Sequence, residues 1–320
     1  MKVLGILKNK GKIGEIVQLP NKKMVGFKDY LVINIVRSIC YLEDSESFFI
    51  NVNDISSKNL ENFLDTFDKI ICFGNTYSVL KNYYIENSKK FIFVEAPLYK
   101  RDVFKNLIDH KYFRIMHQTN LGNNYIKKYS NNLIRGGFVF EKIKVLGENH
   151  ILVINNDMIG DNGIENKNAL YWLNETINKL TKITNKKIII RDHPQIIKEH
   201  PDKLIRIKEL IKNLEANTNN KIELSKNKYL ENDLKGAAAA VMFASGACLE
   251  CLLSGIPVIS TNSRSYVYEL CPNNINQLGS LSEISSTKLS GLFSAISNTH
   301  FTLSEIINAD FWRILKVFIK

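Results

Sequence analysis

The stretch KKIIIRDHPQIIKEHPDKL, residues 186–204, decides how the chain is read. Ile188, Ile189 and Ile190 form a β-branched run that favours a strand, and His193-Pro194 follows at once. Proline restricts the residue before it and supplies no N–H, so the strand has to end there. Arg191, Asp192 and His193 therefore fall just past a strand's carboxyl end, where open α/β sheets keep their ligands. The plainer alternative is a strand that simply runs into a turn. What else reaches the same edge decides between them.

Outward from this stretch the same grammar repeats. In the first half KVLGILKN, SFFINV, KIICFG, KKFIFVEAP and YFRIMH read as strands, with YLVINIVRSICYL and KNLENFLDTF as helices. Alternating strands and helices predict right-handed crossovers and a mainly parallel sheet. Residues 133–150, LIRGGFVFEKIKVLGENH, carry a Gly-Gly break suited to a transition between domains. The series then restarts: HILVINND, KKIIIR, KIELS, AAAVMF and IPVIS as strands, with helical patterns between them. Two Rossmann-like α/β domains are expected, 1–145 and 146–300, facing each other across a cleft. LSEIINADFWRILKVFIK within 301–320 reads as a terminal amphipathic helix packing back on the body.

Bulk properties agree. At 320 residues there is material for two cores, and 45% apolar with 23% charged residues is ordinary for a globular chain. The opening MKVLGILKNKGKIGEI lacks a signal peptide's long apolar core, and no apolar run is long enough to span a bilayer. A cytoplasmic protein is expected. Cys40, Cys72, Cys248, Cys251 and Cys271 are read as reduced thiols, and the Cys248–Cys251 spacing as two core-facing helix residues, not a zinc site. A net charge of +11 implies affinity for anions. That leaves anionic substrates, the cytoplasmic membrane face and nucleic acid open, although no nucleic-acid reading motif is present.

The second informative segment is DLKGAAAAVMFASGACLECLLSGIPVIS, residues 233–260. A strand of small residues runs into Ser245-Gly246, which opens a helix closed by Gly255, and Pro257 begins the next strand. Ser245 is an N-cap residue type, and uncapped N–H groups at a helix start attract anions. Glu250, one and a half turns further, is placed to accept hydrogen bonds from ribose or sugar hydroxyls. Ser-x4-Glu-x4-Gly-x-Pro-Val resembles the donor-nucleotide segment of GT-B glycosyltransferases.

Arg-x-His-Pro on the earlier strand, with this Ser and Glu, resembles the bacterial CMP-sugar transferases, namely the Kdo, sialyl- and polysialyltransferases of capsule and lipopolysaccharide synthesis. The resemblance implies that His193 meets the donor phosphate, that Pro194 aims its imidazole, and that Ser245 and Gly246 bind the phosphate from the facing helix. Arg191 would help neutralise the leaving group. It further implies a catalytic Glu in the first domain, Glu95, and an Asp early in the second, Asp157 or Asp161. Glu95 would be a general acid or base toward an acceptor hydroxyl, and the Asp a nucleophile or an orienting group.

Asp-x-Asp does not occur, so no metal and no cofactor are expected, only a CMP-activated sugar and a glycan acceptor. Arg114 and His117 in YFRIMHQTNLGNNY, and Gly11, Gly14 and Glu15 in GKIGE, are candidates for lining the acceptor side. The alternatives are a GT-B transferase with a UDP- or other nucleotide-hexose donor, a nucleic-acid-modifying or -binding protein, and a non-catalytic scaffold.

Overall fold

The computed structural model describes residues 1–8, 16–19, 24–55, 60–74, 80–99, 105–117, 124–131, 133–136, 138, 140, 149–155, 169–192, 201–263, 265–281 and 284–319. Asp157, Asp161, His193 and Pro194 lie outside the described residues, as do Gly11, Gly14, Glu15 and the expected domain boundary at 145/146. The chain divides into two compact units: Met1–Asn120 with Lys128–Arg135 and Ser294–Lys320, and Leu121–Lys127 with Gly136–Phe293. The terminal segment thus belongs to the first unit.

The strands of the first unit are β1 (Lys2–Leu7), β2 (Ile16–Gln18), β3 (Met24–Gly26), β4 (Glu46–Asn51), β5 (Lys69–Phe73), β6 (Phe91–Glu95) and β7 (Phe113–His117). β2 and β3 form a separate antiparallel pair. The main sheet has the order β13-β7-β6-β5-β1-β4, where β13 is the two-residue strand His300–Phe301. β4, β1, β5 and β6 are mutually parallel, and β7 joins β6 antiparallel. The helix Phe27–Glu43 covers one face. At Gly5 of β1 a Cβ would lie 2.8 Å from the Phe49 ring of β4 and 3.0 Å from Val36 of this helix. On the other face Leu4, Ile6, Ile70, Cys72, Phe91 and Phe93 pack with Leu64, Phe67, Leu80 and Tyr83.

The second unit holds β8 (His150–Ile154), β9 (Lys187–Arg191), β10 (Ile222–Leu224), β11 (Ala237–Met242) and β12 (Val258–Ser260) in the order β10-β9-β8-β11-β12. Every pairing is parallel. Such strands are covered on both faces, so they read as continuous apolar runs, and all of β8 is buried. Leu173, Ile177 and Leu180 of the helix Ala169–Ile183 and Ile207, Ile211 and Leu214 of the helix Pro201–Ala216 complete the core. The chain is therefore an α/β protein with two Rossmann-like domains, the domain pair of the GT-B fold class. Among the described residues no helix is long and apolar enough to cross a membrane.

One expectation needs correcting. The single helix expected over 301–320 is two short ones, Leu303–Ile307 and Asp310–Leu315, parted at Ala309, which takes a left-handed φ of 64°. An α-helix cannot continue through that conformation. The segment does pack on the body: Ser38 Oγ donates to the Ile306 carbonyl at 2.7 Å, and Trp312 Nε1 donates to Glu43 Oε1 at 2.7 Å.

His300 ties this segment to the sheet. Its ring is fully buried, Nδ1 donates to the Ile296 carbonyl at 2.9 Å, and Nε2 accepts the Leu98 N–H at 2.8 Å. Burial, with Arg114 nearby, pushes His300 down to about 3, and burial takes His117 to about 4. Both folded values lie below the unfolded one. Their stabilisation is full above about pH 6.5 and is lost as pH falls toward the folded values. His300 alone accounts for about 2 kcal/mol between pH ~6.5 and ~5. Urea unfolding at those two pH values will show a smaller loss of stability in His300→Gln than in the parent. An equal loss would remove His300 as the cause.

Candidate functional site

The order of the second sheet fixes where a ligand belongs. From β8 the chain winds outward through β9 and β10, then returns to the other side of β8 as β11 and β12. The strand order therefore reverses between β8 and β11, and the crevice outside their carboxyl ends is the binding position in sheets of this kind. Ile154 at the end of β8 is in register with Met242 of β11 on one side and Arg191 of β9 on the other. Residues 155, 192 and 243 therefore leave the sheet side by side, with neighbouring strands about 5 Å apart.

What leaves β8 and β9 is a polar pair. Asn155 is 1% exposed and donates from Nδ2 to Asp192 Oδ1 at 3.1 Å, and Asp192 is itself buried. A carboxylate only accepts here, so Asp192 sets the sense of the amide and makes Asn155 Oδ1 an acceptor. That oxygen is buried and has no hydrogen-bond partner among the described residues. A buried orphan acceptor is costly, about 1–3 kcal/mol, and is a sign of a group awaiting a donor.

β11 delivers Ser245 and Gly246, as the sequence suggested. The turn after β11 is held by Thr261 N–H to the Met242 carbonyl at 3.0 Å, and by Asn262 N–H (3.1 Å) and Ser260 Oγ (3.2 Å) to the Phe243 carbonyl. Trp172 packs edge-on against Phe243, with ring centroids 6.1 Å apart. Ser245 Oγ accepts the Ala247 N–H at 3.2 Å, so it caps the turn. The regular helix begins only at Cys248 and runs six residues, to Leu253. A summed helix dipole is thus small, and the N–H groups of Ala247, Cys248 and Leu249 are already bonded within the turn, so what it presents to an anion is chiefly the Ser245 hydroxyl. Glu250 lies in that helix's first turn, half-buried. Cys248 and Cys251 are buried there with thiols raised well above their ordinary range, by burial first and then by Cys271 and Glu250. They are core residues, as read from the sequence.

Arg191 has a different task from the one expected. Its guanidinium is turned into the protein: Nη1 binds Asp233 and the Asn227 carbonyl, and Nη2 donates to the Lys228 carbonyl at 2.9 Å. Asp233 is 1% exposed and also accepts from Ser225 Oγ and Asn227 Nδ2, each at 2.7 Å. These bonds lock the loop after β10, and the helix Leu230–Leu234, onto the end of β9. Arg191 thus anchors the strand from which Asp192 and His193 follow. Sequence reasoning missed both Asp233 and the Asn155–Asp192 pair.

In the first unit Glu95 ends β6 and is half-buried. It stands opposite Arg114 on β7 in the antiparallel register and forms an ion pair with it. The next residues are fixed by His300, which takes the Leu98 N–H. Arg114, read as a candidate for the acceptor side, is thus Glu95's partner. His117 lies at the far end of β7. Among the described residues no group of three or more His, Cys, Asp or Glu side chains gathers as a metal site.

No family model matches the sequence, and no curated protein does. Among solved structures the chain is similar to the β-Kdo 2,7 transferase KpsC of Thermosulfurimonas dismutans, at 12% identity over 99% of both chains, with a TM-score of 0.47. It is also similar to the MurG of Acinetobacter baumannii, at 9% identity, 98% and 99% coverage and a TM-score of 0.36. A third is the UDP-GlcNAc 2-epimerase of Methanocaldococcus jannaschii, at 15% identity, 91% and 97% coverage and a TM-score of 0.33.

The anchor makes a direct prediction. Asp233→Ala leaves the Arg191 guanidinium buried without its counter-charge and should cost about 3–5 kcal/mol in urea unfolding. Removing both charges, Arg191→Met with Asp233→Leu, should recover most of that loss. Equal damage from the single and double changes would contradict the pairing.

Proposed function

We propose that the chain is a glycosyltransferase that binds its nucleotide-sugar donor at the β8/β11 strand ends. We propose further that the donor is a CMP-activated ulosonic acid of the Kdo type and the acceptor a surface glycan. The observation that supports this most is the shared register of β8, β9 and β11, whose ends carry Asn155, Asp192 and the Ser245-Gly246 turn. In this reading the Ser245 hydroxyl and the backbone at Gly246 take the donor phosphate. His193, next to the anchored Arg191-Asp192, donates to the same phosphate as the glycosidic bond to the nucleotide breaks. Asn155 and Glu250 accept from sugar or ribose hydroxyls.

Glu95 is assigned the acceptor hydroxyl. Its pairing with Arg114 keeps it in one orientation, and as a carboxylate it takes the proton while the hydroxyl attacks the anomeric carbon. Asp157 or Asp161 is assigned the part of nucleophile or orienting group beside β8. The Ser245 hydroxyl and His193 are assigned the neutralisation of the leaving phosphate in place of a metal.

A thermal-shift panel of CMP, UDP and GDP tests the reading. CMP should raise the melting temperature, and His193→Ala or Ser245→Ala should each abolish most of the rise. A shift with UDP alone would move the donor to a UDP-hexose. The absence of a shift with any of the three would remove the assignment.

A further inference from the structure

The outer edge of the second sheet is closed by the chain itself. Among the described residues no strand lies beyond β12; the Ser260 N–H donates instead to the Pro272 carbonyl at 3.0 Å. Proline has no N–H with which to carry a ladder further, so the chain turns away from the edge there. The turn before it is closed by the Cys271 N–H on the Val267 carbonyl at 2.9 Å. A short helix, Ile275–Ser280, follows and sets Ile275 and Leu278 against the core. Ser285 then starts the helix Ser286–Thr299, its Oγ accepting the Lys288 N–H at 3.3 Å. These three segments enclose an open pocket of about 590 Å³. That is within the roughly 300–1,000 Å³ usual for small-molecule sites.

The pocket has an apolar base and a polar wall. Cys271 and Ile284 line it and are buried. Burial pushes the Cys271 thiol up to about 12, and the Lys288 ammonium opposes this, so its charge bears on the base. Lys288 is exposed, lines the pocket and has no ion-pair partner among the described residues. Glu269, the one carboxylate among the described lining residues, is already paired with Lys127 at 3.2 Å. Gln277 Oε1 accepts the Asn273 and Asn274 N–H groups at 3.3 and 3.1 Å. These bonds fix the sense of the amide and leave Nε2 as a donor without a partner among the described residues. Ser280 Oγ donates to the Gln277 carbonyl at 3.0 Å and keeps its lone pairs, whereas Ser285 Oγ, which accepts, keeps its proton. The wall thus holds one uncompensated positive charge, an excess of donors and a hydroxyl acceptor.

We propose that this pocket binds a small sugar that carries an oxyanion, either a sugar phosphate or a sugar acid. Lys288, Gln277 Nε2 and the Ser285 hydroxyl give the oxyanion donors from two of the three segments, and charge-assisted N–H···O bonds are the strong kind. Ser280 and the Asn273 amide suit ring hydroxyls, which both donate and accept, and the base of Cys271 and Ile284 suits the C–H face of the ring. An apolar ligand would displace water from these donors and leave them unpaired, which is costly. A bare oxyanion would fill little of the space. The site shares no residue with the proposed donor crevice, so it stands whether or not the CMP reading does. Two sources share this chemistry: a free sugar phosphate or sugar acid, and the acidic end unit of a glycan chain.

Glucose 6-phosphate, glucuronate and glucose, each titrated calorimetrically into the full chain at fixed ionic strength, test the site. At least one of the two anionic sugars should bind saturably, at least about tenfold more tightly than glucose. Lys288→Gln should weaken that binding at least about tenfold, and the same change at the exposed Lys212 should leave it as it was. Gln277→Glu keeps the acceptor that caps the short helix but replaces its donor by a negative charge, and should abolish binding. Neither variant should alter the response to CMP, so a failure here and a failure of the donor reading are separate results. A glucuronate-terminated trisaccharide that binds more tightly than glucuronate assigns a glycan end; equal or weaker binding assigns a free sugar. Absence of saturable binding by both anionic sugars, glucose bound as tightly as either, or full binding in Lys288→Gln or Gln277→Glu would each overturn the site.

Discussion

The Arg191–Asp233 ion pair is the constraint on which the proposed site depends. β9 is five residues long and its last residue, Arg191, is buried, so its guanidinium needs partners inside the protein. It finds them by joining the strand to the loop at Asn227 and Lys228 and to a carboxylate at 1% exposure. The same carboxylate is fed by Ser225 and Asn227. His150 Nε2 meets the Asp233 carbonyl at 2.9 Å, so the start of β8 is tied to the same helix. One buried charge pair thereby sets the positions of three strands of the sheet whose ends carry the proposed donor-binding residues. A buried pair of this kind is weak evidence for net stability; its value here is that it specifies one arrangement.

The first unit uses the same device. Glu95 and Arg114 are opposite one another across antiparallel strands, and His300 accepts the Leu98 N–H behind them. Arg135 in turn binds Glu305 and the His300 carbonyl, and its guanidinium carbon sits 4.7 Å from the centre of the Phe301 ring. The terminal segment is therefore part of what positions Glu95.

Most of the scaffold was legible because its signals are local. β-branched runs, helical spacing and the Ser-Gly and His-Pro breaks marked all five strands of the second sheet, and with them the strand ends. What escaped was non-local. Asp233 sits in LENDL, where an acidic residue in a short helix looks like a solvated one, and nothing nearby in sequence names a partner 42 positions earlier. Asn155 was read only as part of the strand HILVINND, and nothing in the sequence marked it as the partner of Asp192. Glu95 and Arg114 were read as belonging to separate functions because their pairing exists only once β7 turns back along β6. The break at Ala309 was hidden by apolar spacing that continues across it.

The central claim is that one crevice, at the ends of β8, β9 and β11, grips a nucleotide phosphate. A crystal structure of the chain with CMP bound tests it most directly. The account requires the phosphate within hydrogen-bonding distance of both Ser245 Oγ and His193, with a hydroxyl of the nucleotide donating to Asn155 Oδ1. A phosphate bound elsewhere, with Ser245 and His193 pointing into separate regions, would contradict it.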